Sequence, residues 1–107
     1  GSAPTLVFDE IDTGVGGAVA EAIGRRLARL AERVQVLSVT HAPQVAARAG
    51  HHLRIAKDGV AGEDRVATGV TTLDGEERRE EIARMLAGSV ITDAARAAAH
   101  QLIHGNG

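Results

Sequence analysis

The sequence has no cysteine, no tryptophan and no tyrosine, and Phe8 is its single aromatic residue. Without cysteine there is neither a disulfide framework nor a thiolate zinc site. Without large aromatics the core must be assembled from Ala, Val, Leu and Ile, which favours closely packed helices on a sheet and suggests part of a larger domain. Charge of one sign is also lacking. Twelve basic and fourteen acidic residues leave a net charge of -2, so no overall field draws the chain to nucleic acid. No apolar run approaches the roughly 18 residues of a membrane span. The first residues lack a basic stretch followed by an apolar one. A soluble, cytoplasmic protein with no membrane partner is therefore expected. Lysine is nearly missing too. Lys57 is the only one and does not follow a glycine, so no G-x-x-x-x-G-K-[ST] phosphate loop is present.

What is present reads as alternating strands and helices. Thr5 to Phe8 is a short apolar run, predicted as a buried, parallel strand. Asp12 to Gly17 is a loop by its glycines. Val19, Ile23, Leu27 and Leu30 recur at helical spacing and predict a helix over Ala18–Arg33. Val34–Val39 is a second strand, and Pro43 opens a short helix to about Ala49. His52–Ala56 predicts a third strand, Lys57 falls in a turn, and Arg65–Leu73 predicts a fourth strand at an edge. Asp74 and Glu77 have capping-box spacing before a helix over Glu76–Leu86, which Gly88 stops. Thr92 caps an alanine-rich last helix reaching about Ile103. The order β-α-β-α-β-β-α-α indicates an α/β sheet layer.

The first strand ends in Asp9-Glu10, with Asp12 two residues on. Carboxylates this close repel one another, and a bound cation relieves the repulsion. Ligands of parallel sheets bind at the carboxyl ends of strands. One acid for magnesium and one for an attacking water is the layout of a phosphoryl-transfer site. The bland alternative is a strand end with solvated acids before a turn. The second strand, "VQVLSVTHAPQ", ends in His41, which a parallel pairing carries to the side of Asp9-Glu10. An imidazole there can meet a terminal phosphate oxygen. His51, His52, His100 and His104 are read as structural. Arg25, Arg29 and Arg33 share one face of the predicted helix. They can meet DNA phosphates, but Glu21 and Glu32 nearby favour a solvated, salt-bridged face.

Taken together, "TLVFDEIDTGVGG", "VQVLSVTHAPQVAARAGHHLRIAK" and "REEIARMLAG" resemble the C-terminal end of the RecN family. These are bacterial double-strand-break repair proteins related to the structural-maintenance-of-chromosomes (SMC) group, with ABC-type ATPase heads. The resemblance runs from about Pro4 to the last helix. It implies that residues 1–107 form the C-terminal lobe of a split ABC-type head, with a mostly parallel sheet flanked by helices. ATP and magnesium are the implied cofactors. Asp9 would hold magnesium through water, Glu10 would polarise the attacking water, and His41 would contact the γ-phosphate. Gly14, Gly16 and Gly17 would belong to the loop that meets a second head across an ATP-sandwiched homodimer. Many ABC heads carry an aspartate six residues after the catalytic glutamate, where this chain has Gly16. The glycine-rich version is the one RecN-like proteins share, and Asp12 is read as structural.

The phosphate loop and an LSGGQ-like signature are missing from the chain. The expectation is therefore an ATPase only together with the N-terminal half of the head, inactive alone, and reaching DNA through the complete protein at the nucleoid. Two other readings stay open. One is a non-catalytic α/β lobe that docks another chain. The other is a different magnesium-dependent phosphotransferase using Asp9, Glu10 and Asp12 as ligands.

Overall fold

The computed structural model describes residues 4–59, 62 and 66–105. Its elements follow the expected order: β1 (Thr5–Asp9), α1 (Gly17–Leu30), β2 (Gln35–Val39), α2 (Pro43–Ala46), β3 (Leu53–Gly59), β4 (Val66–Thr72), α3 (Gly75–Ala87) and α4 (Asp93–His104). β1 and β2 pair in parallel, from Thr5 opposite Gln35 to Asp9 opposite Val39. A parallel pair needs a crossover, and α1 supplies it. β3 does not join that sheet. It pairs antiparallel with β4, from Leu53 opposite Thr72 to Gly59 opposite Val66, in a second two-stranded sheet.

Among the described residues parallel and antiparallel pairing are thus equally represented, where a mostly parallel sheet was expected. The connection from Gly59 to Val66 is the reason. It is far shorter than the dozen or so residues a parallel crossover takes, so the two strands can only pair antiparallel. Lys57, expected in a turn, lies inside β3 opposite Thr68. The remainder of the expected turn, Val60, Ala61 and residues 63–65 with the start of the predicted strand at Arg65, lies outside the described residues.

Helix ends follow their chemistry. Glu77 donates its backbone N–H to Asp74 Oδ1 at 2.8 Å, and Glu77 Oε1 accepts from the Asp74 backbone at 3.1 Å, completing the capping box of α3. Gly88 closes α3 with φ of 83°, a conformation that favours glycine. Thr92 Oγ1 accepts from Ala95 N at 3.1 Å and starts α4. α1 stops at Leu30, short of the expected Arg33. The Leu30 carbonyl is taken by the N–H groups of Arg33 and Val34 at 3.0 and 3.1 Å, which turns the chain toward β2. Arg33 therefore lies past the helix and does not share a helical face with Arg25 and Arg29. Glu21 forms the expected pair with Arg25 at 2.5 Å and also meets Arg48 at 3.5 Å.

The core sits among helices. Ala46, Ala47, Ile82, Ala83, Ala95 and Ala99 form one buried cluster, with Met85, Ile91, Leu102 and Ile103 packed against it. α4 packs chiefly on α3. On α1 the buried residues are Ala20 and Gly24, one position on from the predicted stripe. A Cβ at Gly24 would stand 2.9 Å from the Gln44 carbonyl oxygen, so the missing side chain is what lets α2 approach. The predicted stripe is left partly uncovered, with Val19 exposed. Both sheets likewise show apolar side chains to solvent: Leu6, Val7, Leu37 and Val39 on the first, and Leu53, Ile55 and Val70 on the second. Among the described residues no helix is long and apolar enough to cross a membrane.

α3 also ties down the end of α2 and the residues just after it. The Arg78 guanidinium donates to the carbonyls of Ala46, Ala47 and Ala49 at 3.1, 2.9 and 2.5 Å, collecting the acceptors that follow α2. His52 stands close by, with Nδ1 buried and unbonded among the described residues. Burial, and then the charge of Arg78, hold its pKa below the ordinary 6.5, against a smaller pull from Glu81. Burial of Glu81 works to raise its pKa. The hydrogen bond and charge of Arg84, with the charges of Arg54 and His52, outweigh it and keep the carboxyl below its usual range.

Two outcomes follow from this packing. Ile82→Ala empties the largest fully buried side chain among the described residues and should cost about 2–5 kcal/mol, read as a lowered urea midpoint. The folded state favours neutral His52, whereas the unfolded chain takes up its proton near pH 6.5. Its contribution to stability is then complete above 6.5 and is lost as pH falls from there toward the folded value. A His52→Gln chain should show a flatter stability profile across that window.

Candidate functional site

The register of β1 and β2 brings their carboxyl ends side by side. The ladder continues one step beyond the strands, as Glu10 N donates to the Val39 carbonyl at 2.8 Å. There the chain leaves the extended conformation. Glu10 has φ of 52°, the one described non-glycine residue in the left-handed region. Such a conformation costs of order 1–2 kcal/mol and persists only where the surroundings hold it. Here Thr13 holds it, with its N–H and Oγ1 donating to the Glu10 carbonyl at 3.2 and 2.9 Å. Gly14 follows with φ of 80°. Gly16 is the extended N-cap of α1, whose carbonyl accepts from Ala20 N at 2.9 Å.

The turn places the Glu10 carboxylate against His41. Their Oε1 and Nε2 atoms lie 2.7 Å apart, with the His41 side chain 89% and the Glu10 side chain 41% exposed. Both face a cleft of about 420 Å³ whose wall includes Asp12, Thr13, Gly14, Val15, Gly17 and Gln44. Glu10, His41, Gly14 and Gly17 thus line one cleft. Gly16 does not line the cleft. Asp9 ends β1 beside it, exposed, and does not line it either. Asp9 keeps strand geometry whereas Glu10 turns out of it, and this separates the two side chains.

Asp12 has a different environment. It is 7% exposed and is the buried acid of the described residues. Its Oδ2 accepts a hydrogen bond from Thr40 Oγ1, whose oxygen in turn accepts from Ala42 N at 2.9 Å. This fits the structural role expected for Asp12 and separates it from a three-carboxylate metal site. Among the described residues no group of three or more His, Cys, Asp or Glu can hold a metal. His51 is exposed and forms no such group with His52.

Thr13, Thr40 and Gln44 belong to the site and were not singled out in the sequence. Thr40 carries a faint signal, standing next to His41 at a strand end. Its partner Asp12 is 28 positions away, so no local pattern reports the contact.

No family model matches the chain. Curated relatives do. The DNA repair protein RecN of Xylella fastidiosa is 51% identical over 100 residues, covering 94% of this chain and 18% of the relative. RecN of Streptomyces coelicolor is 52% identical over 100 residues, covering 94% and 17%. RecN of Mycobacterium tuberculosis is 54% identical over 99 residues, covering 92% and 16%. This stretch belongs to the RecN family. The chain spans less than a fifth of the length of these RecN relatives and corresponds to their C-terminal part. A solved structure from work on ATP-driven dimerization and DNA-stimulated activation of SMC ATPases shares the fold. Its TM-score is 0.62 at 18% identity, over 82% of this chain and 51% of that one. The shared fold is α/β, with small sheets flanked by helices.

The left-handed turn gives a direct check. Glu10→Gly and Glu10→Ala both remove the carboxylate, but only glycine accepts φ of 52° without a Cβ clash. The glycine variant should unfold at the higher urea concentration, by about 1 kcal/mol, the reverse of the order in a helix.

Proposed function

We propose that this chain supplies the water-activating side of an SMC-like ATPase head that acts in DNA double-strand-break repair and recombination. The observation that carries the reading is the meeting of Glu10 and His41 at neighbouring strand ends, over a glycine-rich loop. Glu10 accepts the proton of the attacking water as its oxygen bonds to the γ-phosphorus and the bond to the ADP oxygen breaks. His41 donates to a γ-phosphate oxygen as charge builds there. For both to act, their mutual contact opens and the phosphate enters between them.

The donor set suits magnesium. Asp9 and Glu10 offer hard oxygens at a strand end, and magnesium takes one or two carboxylates together with waters and phosphate oxygens. A three-acid cage is not needed, in keeping with the lack of one among the described residues. Asp9 would hold the ion through water, and the bound ion would offset charge on the phosphate oxygens.

The remaining parts come from elsewhere in the protein. The sequence has no phosphate loop, so the triphosphate is cradled by the N-terminal half of the head. Gly14, Gly16 and Gly17, exposed along the loop, would face a second head in an ATP-sandwiched homodimer. DNA is reached through the whole protein, in the cytoplasm at the nucleoid. The docking reading is contained in this one. Exposed Val7, Leu37 and Val39 on β1 and β2 support a lobe that packs against the rest of its polypeptide.

Reconstitution tests the proposal. The 107-residue chain alone should turn over no ATP, and adding the N-terminal half should restore magnesium-dependent hydrolysis. Glu10→Gln should lower that rate about 100-fold or more. Hydrolysis by the chain alone, or unchanged turnover with Glu10→Gln, would overturn it.

A further inference from the structure

We infer that Asp12 and Thr40 are positioning residues that fix His41 against Glu10, a role that rests on the proposed ATPase reading. Four observations lead there. Asp12 is the buried acid among the described residues, and burying a carboxyl group is costly unless it is hydrogen-bonded. Its Oδ2 accepts a hydrogen bond from the Thr40 hydroxyl. With the hydrogen so directed, the Thr40 oxygen is left to accept from Ala42 N at 2.9 Å. His41 lies between these two residues, and its own side chain is 89% exposed, so side-chain packing does little to hold it.

The loop that carries Glu10 is therefore joined to the loop that carries His41 at two points. One is the backbone bond from Glu10 N to the Val39 carbonyl at 2.8 Å. The other is the brace from Asp12 through Thr40 to Ala42. The backbone bond sets the height of the two strand ends. The brace sets the direction in which the His41 Cα–Cβ bond leaves the chain. A hydroxyl at position 40 and an acceptor at position 12 are both required, because either alone leaves the chain of hydrogen bonds open.

The test uses the intact RecN-family protein containing this segment. Asp12→Ala and Thr40→Val should each lower kcat for ATP about 10–100-fold, the range expected when a reacting group shifts by about 1 Å. KM for ATP should change little. Asp12→Asn keeps an acceptor and Thr40→Ser keeps the hydroxyl, so both should retain most of the rate. The Asp12→Ala/Thr40→Val double variant should be no slower than either single one. Wild-type kcat in Asp12→Ala, multiplying losses in the double variant, or no rescue by Asp12→Asn and Thr40→Ser would overturn the inference. If Asp12→Ala does not fold, the contrast between Thr40→Val and Thr40→Ser decides. A readout independent of hydrolysis separates this inference from the ATPase reading. The Ala42 amide should lose about 10-fold or more of its hydrogen-exchange protection in Asp12→Ala and in Thr40→Val. Unchanged protection overturns the brace even where Glu10→Gln shows the ATPase reading to be right. Lost protection with unaltered turnover in Glu10→Gln sustains the brace and removes the reading.

Discussion

The parallel pairing of Thr5–Asp9 with Gln35–Val39 is the constraint on which the site depends. A parallel register places two strand exits on one side of a sheet, and here one exit carries Glu10 and the other His41. One antiparallel reversal, or a slip by one residue, would separate Glu10 from His41 or turn one of them to the opposite face. The backbone bond from Glu10 N to Val39 O extends that register to the residue that matters. Left-handed Glu10 then departs from strand geometry at the point where departure aims its carboxylate across the gap.

Around this pair the chain divides its stabilisation unevenly. The tightly packed part is the group of α2, α3 and α4, made largely of alanines that let helices approach closely, with Ile82 as the one large side chain at its centre. Arg78 links this group to the segment that follows His41, through three carbonyls. The strands, by contrast, expose apolar side chains on both sheets. Close packing is thus concentrated among the helices, while apolar side chains of both sheets stay open to solvent.

Much of this was legible in the sequence, for identifiable reasons. Capping at Asp74, Glu77, Gly88 and Thr92 is local chemistry, and all four behave as their spacing implies. Glu10 and His41 were legible because each terminates an apolar run, and consecutive parallel strands end together. The limits were equally physical. The partner of β3 was set by a short connection and not by its own apolar pattern. The stripe Val19–Ile23–Leu27–Leu30 had the right period, yet α2 settled on Ala20 and Gly24, because small residues decide where backbones can approach. The Asp12–Thr40 contact spans two distant loops, and no periodicity encodes it. Asp9 and Glu10 are adjacent in the sequence, and it is the left-handed turn at Glu10 that sets their side chains apart.

The exposed apolar strand faces also bear on protein engineering. Val7, Leu37 and Val39 are a liability to the lobe in isolation, since uncovered apolar strands invite self-association. Polar replacements there would make a better-behaved fragment for crystallisation or spectroscopy. The same replacements would remove the surface on which, in the proposed arrangement, the rest of the head settles. Solubility of the piece and assembly of the whole therefore place opposite demands on the same three side chains.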